Sequence, residues 1–485
     1  MNSLKEMPKN LQDFLSYLSF KSECIFHQER QKIKVDIEAA KELEHKLSTL
    51  IETKTKTLID VMPKITKMKP VNRPKQWTKI DGSLTSKAIE FEQKRREAGM
   101  PEGILSFNVV SEVINGNPSS TPQVKDWLFS LGWKPCTFKY SKDNEGNPKQ
   151  VPQVRVEGEL TPSVERLCET VPELKHYSDL GILSHRHGIV KSFLSASKDG
   201  YVSANATGLT NTMRLKHSKP VVNLPSVDKP WGKEIRGLLT CEDSEVLVGS
   251  DLVSLENSTK LHYMSMFDKE TVEIMSKDDY DPHLSLLVSA GKLSTGDYEF
   301  YVNYKRDGTG SDTQRFRGID LLRKKAKVVN YSSLYGVGAS KLSQSSGMSL
   351  PESKELLDEF WNIHSSIKKV TNKTRVKTLK DGSMWAYNPV SKFWYSLRYE
   401  RDIWSTINQS TGVFVFDTWL NFCSQKEQWP VLQMHDEQLV RTTKDNSLGV
   451  REIMLWAIQR TNEKLGLNVE IKIDIQEGKS YAECH

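Results

Sequence analysis

A chain of 485 residues has room for about three packed units at roughly 150 residues each. That excludes a small disulfide scaffold and a disordered tail protein. Lys and Arg total 68 against 62 Asp and Glu, and the surplus of +6 lies wholly in residues 1–100. By size alone that surplus identifies no partner, because an enzyme acting on nucleic acid can hide a basic groove behind an acidic site.

The six cysteines (Cys24, Cys136, Cys168, Cys241, Cys423, Cys484) are scattered without a CxxC. They read as reduced thiols of a cytosolic protein, not as a disulfide or zinc framework. His185 and His187 form an HxH that no nearby Cys or carboxylate pattern completes, so they read as ordinary structure. No apolar run approaches the ~18 residues needed to cross a membrane, and the first residues lack a signal-peptide core. A soluble intracellular protein is expected.

Residues 1–60 read as helical. Ile37, Ala40, Leu43, Leu47 and Leu50 form a stripe at helical spacing. From Val61 to Ile80, Lys64, Lys67, Lys69, Arg73, Lys75 and Lys79 appear without an acid. That stretch reads either as a solvated linker or as an arm lying along phosphates. Residues 105–160 read as compact mixed structure, 161–200 as helical, and 201–225 as loop or strand with a basic run from Arg214 to Lys219. Ser244–Ser250 predicts a buried strand. Residues 255–375 read as mainly helical, with Gly-rich turns near 307–311 and 336–338. Pro430–Met434 and Gln438–Thr442 predict a hairpin with His435, Asp436 and Glu437 at its apex. A last strand is expected from Asn468 to Ile475.

Asp251 follows the buried strand, and Asp436 stands at the hairpin tip. A carboxylate ending a buried strand is costly unless it caps, pairs or holds a metal. Two of them on neighbouring strands suit a two-metal phosphoryl-transfer site, since Mg²⁺ takes one or two carboxylates plus waters and substrate phosphates. Arg323, Lys327, Tyr331 and Tyr335 recur every four residues and so share one side of a helix. Two cations followed by two aromatics suit a triphosphate followed by a sugar and base. Gly336-Val-Gly then ends the helix, and no P-loop ending follows.

On these residues the chain resembles the family A, DNA polymerase I-like DNA polymerases. Asp251-Leu-Val-Ser-Leu-Glu256 with His262 looks like the first polymerase motif. The second, the fingers helix, is matched by Arg323-Lys-Lys-Ala-Lys327-Val-Val-Asn-Tyr331-Ser-Ser-Leu-Tyr335-Gly336, and the third by Gln433-Met-His435-Asp436-Glu437. Gln28-Glu-Arg, Asn117-Pro-Ser-Ser, Gln409-Ser and the ending Tyr481-Ala-Glu-Cys-His485 resemble the replicative enzymes of short-tailed bacteriophages, over roughly residues 26–485.

The resemblance implies an α+β right-hand fold. A helical lead would occupy 1–25, and a thumb 26–200 with a basic insertion at about 61–104. The antiparallel palm would take 201–265 and 395–485, and helical fingers 266–394. It implies that Asp251, Asp436 and the Leu252 carbonyl hold two Mg²⁺, or Mn²⁺ in their place, with Glu437 supporting the site from its edge. Arg323, Lys327 and His283 would grip the phosphates of a dNTP, Tyr331 would stack near its sugar, and Glu256 would crowd a 2′-OH. Tyr335 would meet the templating base. Arg214, Gln409 and His435 would touch primer–template DNA in the minor groove, where sequence is poorly distinguished.

Three departures from the family pattern stand out. Ser332 replaces a Gly, Asn257-Ser258 replaces Leu-Arg, and the stretch from Arg214 to Pro225 is one residue short and lacks the Gly before its Arg. In related phage enzymes an insertion in the thumb recruits a processivity partner. Candidate protein partners are such a factor, a helicase-primase and a separate exonuclease; no membrane is expected. Asp13 is the sole aspartate among the first 25 residues, so no intrinsic 3′–5′ exonuclease is expected. Degradation of single-stranded DNA by the pure chain, abolished by a point substitution within it, overturns that expectation. The leading function is template-directed DNA synthesis in phage replication, in a host cytoplasm. A single-subunit RNA polymerase shares similar motifs, but Glu256 with His435-Asp436-Glu437 argues for the DNA enzyme. A non-catalytic DNA-binding or processivity subunit would have no reason to keep both Asp251 and Asp436.

Overall fold

The N-terminal helical stretch breaks once. A computed structural model describes residues 9–142, 145–156, 159–277, 279–307 and 312–484. In it α1 (Lys9–Gln31) and α2 (Ile37–Val61) are separated by Lys32, whose φ of 53° turns the chain into β1 (Ile33–Val35). β1 pairs antiparallel with the short strands Tyr201–Val202 and Leu239–Thr240. Residues 1–8 of the expected helical lead and 308–311 of the expected Gly-rich turn lie outside the described residues. The chain divides into two compact units, Met1–His45 with Arg186–His485, and Lys46–His185.

The smaller unit has its own core, in which Leu58, Val124, Leu128, Val164 and Leu174 are fully buried. β2 (Ile65–Asn72) pairs antiparallel with β3 (Ser106–Ile114), and α3 (Ser86–Glu97) lies between them in sequence. The stretch from Val61 to Ile80, read as a linker or as an arm along phosphates, thus contains the strand Ile65–Asn72. The reason lies beyond that window. Phe91 and Phe107 are buried with rings 5.2 Å apart, and Trp77 meets Phe91 edge-on at 5.9 Å, so a small aromatic core orders the polar stretch around it. Thr85 caps α3 by accepting the Ala88 N–H.

In the larger unit β4 (Glu245–Leu252) leads to α4 (Leu255–Met264), and two further helices, α5 (Pro282–Ser289) and α6 (Thr313–Leu334), follow. The long helix α7 (Ile403–Ser424) precedes β5 (Leu432–Met434), β6 (Glu437–Thr443), α8 (Ser447–Leu465) and β7 (Ile473–Gly478). The sheet order is β5-β6-β4-β7, antiparallel throughout. Val246 and Val248 pack with α7 and α8 residues such as Val415, Trp419, Met454 and Ala457. On the other face the 3₁₀ turn Tyr481–Cys484 covers the strand, its Cys484 thiol donating to the Leu247 carbonyl at 3.4 Å. A side chain on Gly249 would meet the Cys484 Cβ at 2.7 Å. Cover on both faces explains why β4 is continuously apolar or small where a half-buried strand alternates.

Two expectations shift. The last strand begins at Ile473, not Asn468, because the intervening backbone is engaged elsewhere: Asn468 N–H donates to His262 Nδ1 at 3.0 Å and Ile471 N–H to Asn462 Oδ1 at 2.9 Å. The end of the segment expected as helical fingers is a three-stranded sheet, Val376–Thr378, Met384–Tyr387 and Trp394–Leu397. There Asp381-Gly382, with Gly382 at φ 81°, turns the chain between runs rich in aromatic strand formers. The HxH is structural at His187, which pairs with Glu44 at 2.8 Å. All six cysteines are free, and only Cys136 is exposed. Among the described residues no helix is long and apolar enough to cross a membrane.

Candidate active site

The sheet register brings the two expected carboxylates together. Asp251 pairs across with Glu437 on β6 and with Asp474 on β7. One residue on, the Leu252 N–H donates to the Asp436 carbonyl at 3.0 Å. Asp436 therefore hangs from the same rung that carries Asp251, in the two-residue turn His435-Asp436 between β5 and β6. His435 takes φ 65° to make that turn. Burial raises the Asp436 carboxyl above the usual carboxylate range; the negative charges of Asp251 and Glu437 add to this and Arg214 opposes it. Glu437 is buried and accepts the Tyr481 hydroxyl at 3.0 Å, so the 3₁₀ turn at the end of the chain braces the rung.

Arg214 belongs to this group. The Gly missing before it is a Met213 held at φ 67°, a region that costs a bulky residue about 1–3 kcal/mol. The turn is fixed by Thr210, whose N–H donates to the Arg214 carbonyl at 2.8 Å and whose hydroxyl accepts the Arg214 N–H at 3.1 Å. His217 and His435 stack edge to face at 6.0 Å. Burial pushes both imidazoles down to about 4, with the Arg214 charge adding, so both are neutral near pH 7.

The period-four stripe is also real. α6 turns Ile319, Ala326, Val329, Asn330 and Ser333 into the interior, which leaves Lys327 and Tyr331 exposed. Lys327 Nζ lies 5.8 Å from the Tyr331 ring, and Tyr331 lies 5.9 Å from the His283 ring. Arg323 is held by a partner that the sequence pattern did not single out: its Nε donates to Asp281 Oδ2 at 2.6 Å. The other oxygen of Asp281 caps α5, accepting the N–H groups of His283 and Leu284 at 2.9 and 3.0 Å. One carboxylate thus orients both Arg323 and His283. Burial pushes the His283 imidazole down to about 4, with the nearby cations Arg323, Lys327 and Lys260 adding against Asp281. At neutral pH it is an uncharged imidazole beside the Arg323 and Lys327 cations.

α4 links the two groups. Asp251 precedes it, Ser254 enters it at φ 48°, and Glu256 stands in its first turn. The Tyr335 hydroxyl, at the end of α6, donates to Glu256 Oε1 and Oε2 at 3.2 and 3.1 Å, and Gln409 Nε2 donates to that hydroxyl at 3.5 Å. Burial raises the Tyr335 hydroxyl, and the Glu256 carboxylate adds to this. Asn408 holds α4 against α7, donating to the Glu256 carbonyl at 3.1 Å and accepting the Thr259 hydroxyl at 2.9 Å. Gly336 leaves the helix at φ 71°, the termination expected from Gly336-Val-Gly.

Beside Asp281 and Asp474, sequence reasoning missed a buried ion pair behind the hairpin. Lys21 of α1 donates to both oxygens of Asp417 on α7, at 2.8 and 2.9 Å. Gln28 on the same helix accepts the Gln433 N–H of β5 at 2.8 Å. Lys21, Gln28 and Cys24 form one buried face of α1, a face whose polar members look like solvent positions in the sequence.

No family model matches the chain. It is 23% identical over 440 residues to the DNA-directed DNA polymerase of Enterobacteria phage T3, covering 82% of this chain and 56% of the phage protein. It is 27% identical over 175 residues to DNA polymerase I of Helicobacter pylori, covering 36% of this chain and 17% of that protein. The chain thus spans about half the length of the phage relative and less of the bacterial one. Its fold matches the POL domain of Pol1 from M. smegmatis, solved in complex with DNA primer-template and dNTP, with a TM-score of 0.63 at 15% identity, covering 95% of this chain and 69% of that one. The chain is thus homologous to these phage and bacterial DNA polymerases over part of their length, and has the α+β fold of a polymerase domain.

Proposed function

We propose that the chain is a template-directed DNA polymerase of phage replication, joining a primer 3′-OH to the α-phosphate of a dNTP with release of pyrophosphate. The observation that carries this reading is the shared rung of Asp251 and Asp436, with Glu256 on the helix leaving it bonded to the end of the cationic helix α6. In this reading residues 201–265 and 395–485 are the palm, 266–394 the fingers and 26–200 the thumb.

The donor set fits divalent metal. Asp436 is buried against two further carboxylates and is eased in this chain by Arg214. Asp251, Asp436 and the Leu252 carbonyl would hold two Mg²⁺, or Mn²⁺, which when bound neutralise charge on the transferring phosphoryl group. The chain's own groups do the rest. Arg323, Lys327 and neutral His283 bind the triphosphate, and Tyr331 covers the sugar. Glu256 must exchange its Tyr335 bond for contact with the nucleotide, where it crowds a 2′-OH. Arg214, Gln409, His435 and Tyr335 contact primer–template DNA. Glu437, tied to Tyr481, positions the rung from behind. A cytoplasmic location, in an infected host, suits free cysteines; an exonuclease, a helicase-primase and a processivity factor are candidate partners.

Primer extension with Mg²⁺, comparing dNTPs with rNTPs, tests the reading; no incorporation of either nucleotide overturns it. Lys327→Ala is expected to lower kcat/KM for dNTP by about 10²–10³-fold, the usual loss for one aligned electrostatic donor, with DNA affinity unchanged. Glu256→Ala is expected to narrow dNTP-over-rNTP discrimination by about 10–100-fold. Unchanged discrimination would remove Glu256 from sugar selection.

A further inference from the structure

Glu437 stands beside Asp251 on the rung, and the tyrosine that holds Glu437 is itself held by a residue that the reaction above does not use. Arg236, in the short helix Gly232–Gly237, is 9% exposed. Its guanidinium lies over the Tyr481 ring, 4.5 Å from the ring centre. Its Nε donates to the Pro225 carbonyl at 2.8 Å, which ties it to the loop entering that helix. Among the described residues it has no carboxylate within ion-pair distance, and its Nη1 has no acceptor. A buried guanidinium held this way costs stability, and a desolvated cation over an aromatic face offsets only part of that cost. Tyr481 is fully buried. Burial pushes its hydroxyl well up, with Glu437 adding and Arg236 opposing, so it remains a neutral donor to Glu437 Oε2. Guanidinium, ring and carboxylate thus form one series that ends opposite Asp251. The backbone of the turn is anchored separately. The Thr240 hydroxyl donates to the Lys479 carbonyl at 2.7 Å, and the Lys479 ammonium to the Glu242 and Asp243 carbonyls at 3.1 and 2.7 Å. Removing the Arg236 contact therefore frees the ring without releasing the turn.

We propose that Arg236 is a positioning residue for metal binding. By holding the Tyr481 ring it keeps the Tyr481 hydroxyl on Glu437, and so keeps the Glu437 carboxylate where it supports the metals of Asp251 and Asp436. The metals and the reaction rest on the polymerase reading; the series of contacts does not. A direct role on phosphates does not suit this guanidinium, because one side is spent on a buried ring and its unpaired Nη1 is itself buried. Groups that orient the carboxylates around a metal, without touching it, commonly set its affinity, and their loss is felt as a metal requirement. The distance in sequence is 245 residues from Arg236 to Tyr481 and 44 from Tyr481 to Glu437, so no local pattern links the three.

The test compares the full chain with R236Q, R236K, Y481F and R236Q/Y481F, and with R155Q as control. Arg155 also covers a tyrosine ring, Tyr177, at 4.1 Å, but in the smaller unit. Two quantities are measured. One is the Mg²⁺ concentration for half-maximal single-nucleotide incorporation; the other, without DNA or nucleotide, is the rise in unfolding midpoint on adding Mg²⁺. Y481F keeps the ring, loses only the hydroxyl, and is expected to raise the half-maximal Mg²⁺ concentration about 10–100-fold. R236Q and R236K lose the flat contact on the ring and should raise it about tenfold. In all three the Mg²⁺-dependent rise in midpoint should shrink, while KM for dNTP at saturating Mg²⁺ and Kd for DNA stay at wild-type values. The double variant should match Y481F, because residues acting through one contact are not additive. R155Q should lower the midpoint without moving the Mg²⁺ requirement. R236K retains the charge and a donor to the Pro225 carbonyl, and it carries the test where R236Q does not fold. An unchanged Mg²⁺ requirement in R236K overturns the proposal, as does a double variant whose shift is the product of the single ones. So does an equal shift in R155Q, or a rise in dNTP KM or DNA Kd at saturating Mg²⁺, which would put Arg236 at the substrate. A wild type that incorporates no nucleotide, while R236K and Y481F still lose the Mg²⁺-dependent rise in midpoint, sinks the polymerase reading and leaves the positioning role standing.

Discussion

Replacing Asp251 or Asp436 by Asn lowers nucleotide incorporation by at least about 10³-fold, the upper range for losing one aligned electrostatic partner, while the chain stays folded. The fold survives because the sheet at this point is joined by backbone hydrogen bonds. The rung is made by backbone, Leu252 N–H to the Asp436 carbonyl and the paired register of Asp251 with Glu437, and Asn keeps the shape at both positions. Rapid-quench incorporation with Mg²⁺ is the measurement. Either variant within about tenfold of wild type would remove that residue from the reaction.

The same pair makes a stability statement with the opposite sign. In the folded chain burial raises the Asp436 carboxyl above its unfolded value. A raised carboxyl contributes stability that is fully present below the unfolded pKa of about 4 and is lost as pH rises through the folded one. At pH 7, with divalent metal chelated, ionised Asp436 is a liability that Asp436→Asn removes. Its unfolding midpoint is expected to equal or exceed that of wild type. Adding Mg²⁺ should raise the wild-type midpoint, by about 1.4 kcal/mol at ten times its Kd, and leave Asp436→Asn unmoved. A variant clearly less stable than wild type in EDTA would show Asp436 to be a structural group.

What could be read in the sequence was whatever repeats locally. The period-four stripe of Arg323, Lys327, Tyr331 and Tyr335, the apolar run of β4 and the hairpin around His435 are patterns within a dozen residues, and each stands where its period put it. The partners of those residues were illegible because they are distant in sequence. Asp281 is 42 residues from Arg323, and Tyr481 is 44 from Glu437. Backbone strain was hidden for a different reason. Met213, Ser254 and His435 occupy positive φ where a Gly would mark itself. The Gly missing before Arg214 looked like a departure from the pattern, yet the backbone there still takes the conformation a Gly would favour. The strand in the basic stretch from Val61 was illegible because its order comes from Phe91 and Phe107, which lie outside that stretch.

Lys21→Met destabilises the larger unit by about 3–5 kcal/mol, the usual cost of leaving one charge of a buried pair alone. Lys21 and Asp417 are 4% and 2% exposed, and the ammonium sits between both carboxylate oxygens. The Tyr17 hydroxyl also donates to Asp417, and burial together with that carboxylate pushes Tyr17 well up, so it stays a neutral donor that cannot replace the lost charge. The sign should reverse in the double variant. Lys21→Met with Asp417→Leu removes both charges and fills the space with apolar groups, a swap often neutral or stabilising, so most of the loss should return. Chemical denaturation followed by tryptophan fluorescence measures both, since Trp419 is buried two residues from Asp417. A double variant as unstable as Lys21→Met would assign the loss to packing instead of charge. Function should follow, because α1 also holds β5 through Gln28, whose Oε1 accepts the Gln433 N–H two residues before His435. Lys21→Met is therefore expected to lower the incorporation rate at temperatures where most of the chain remains folded, and the double variant to restore it, which ties the buried pair to the position of Asp436.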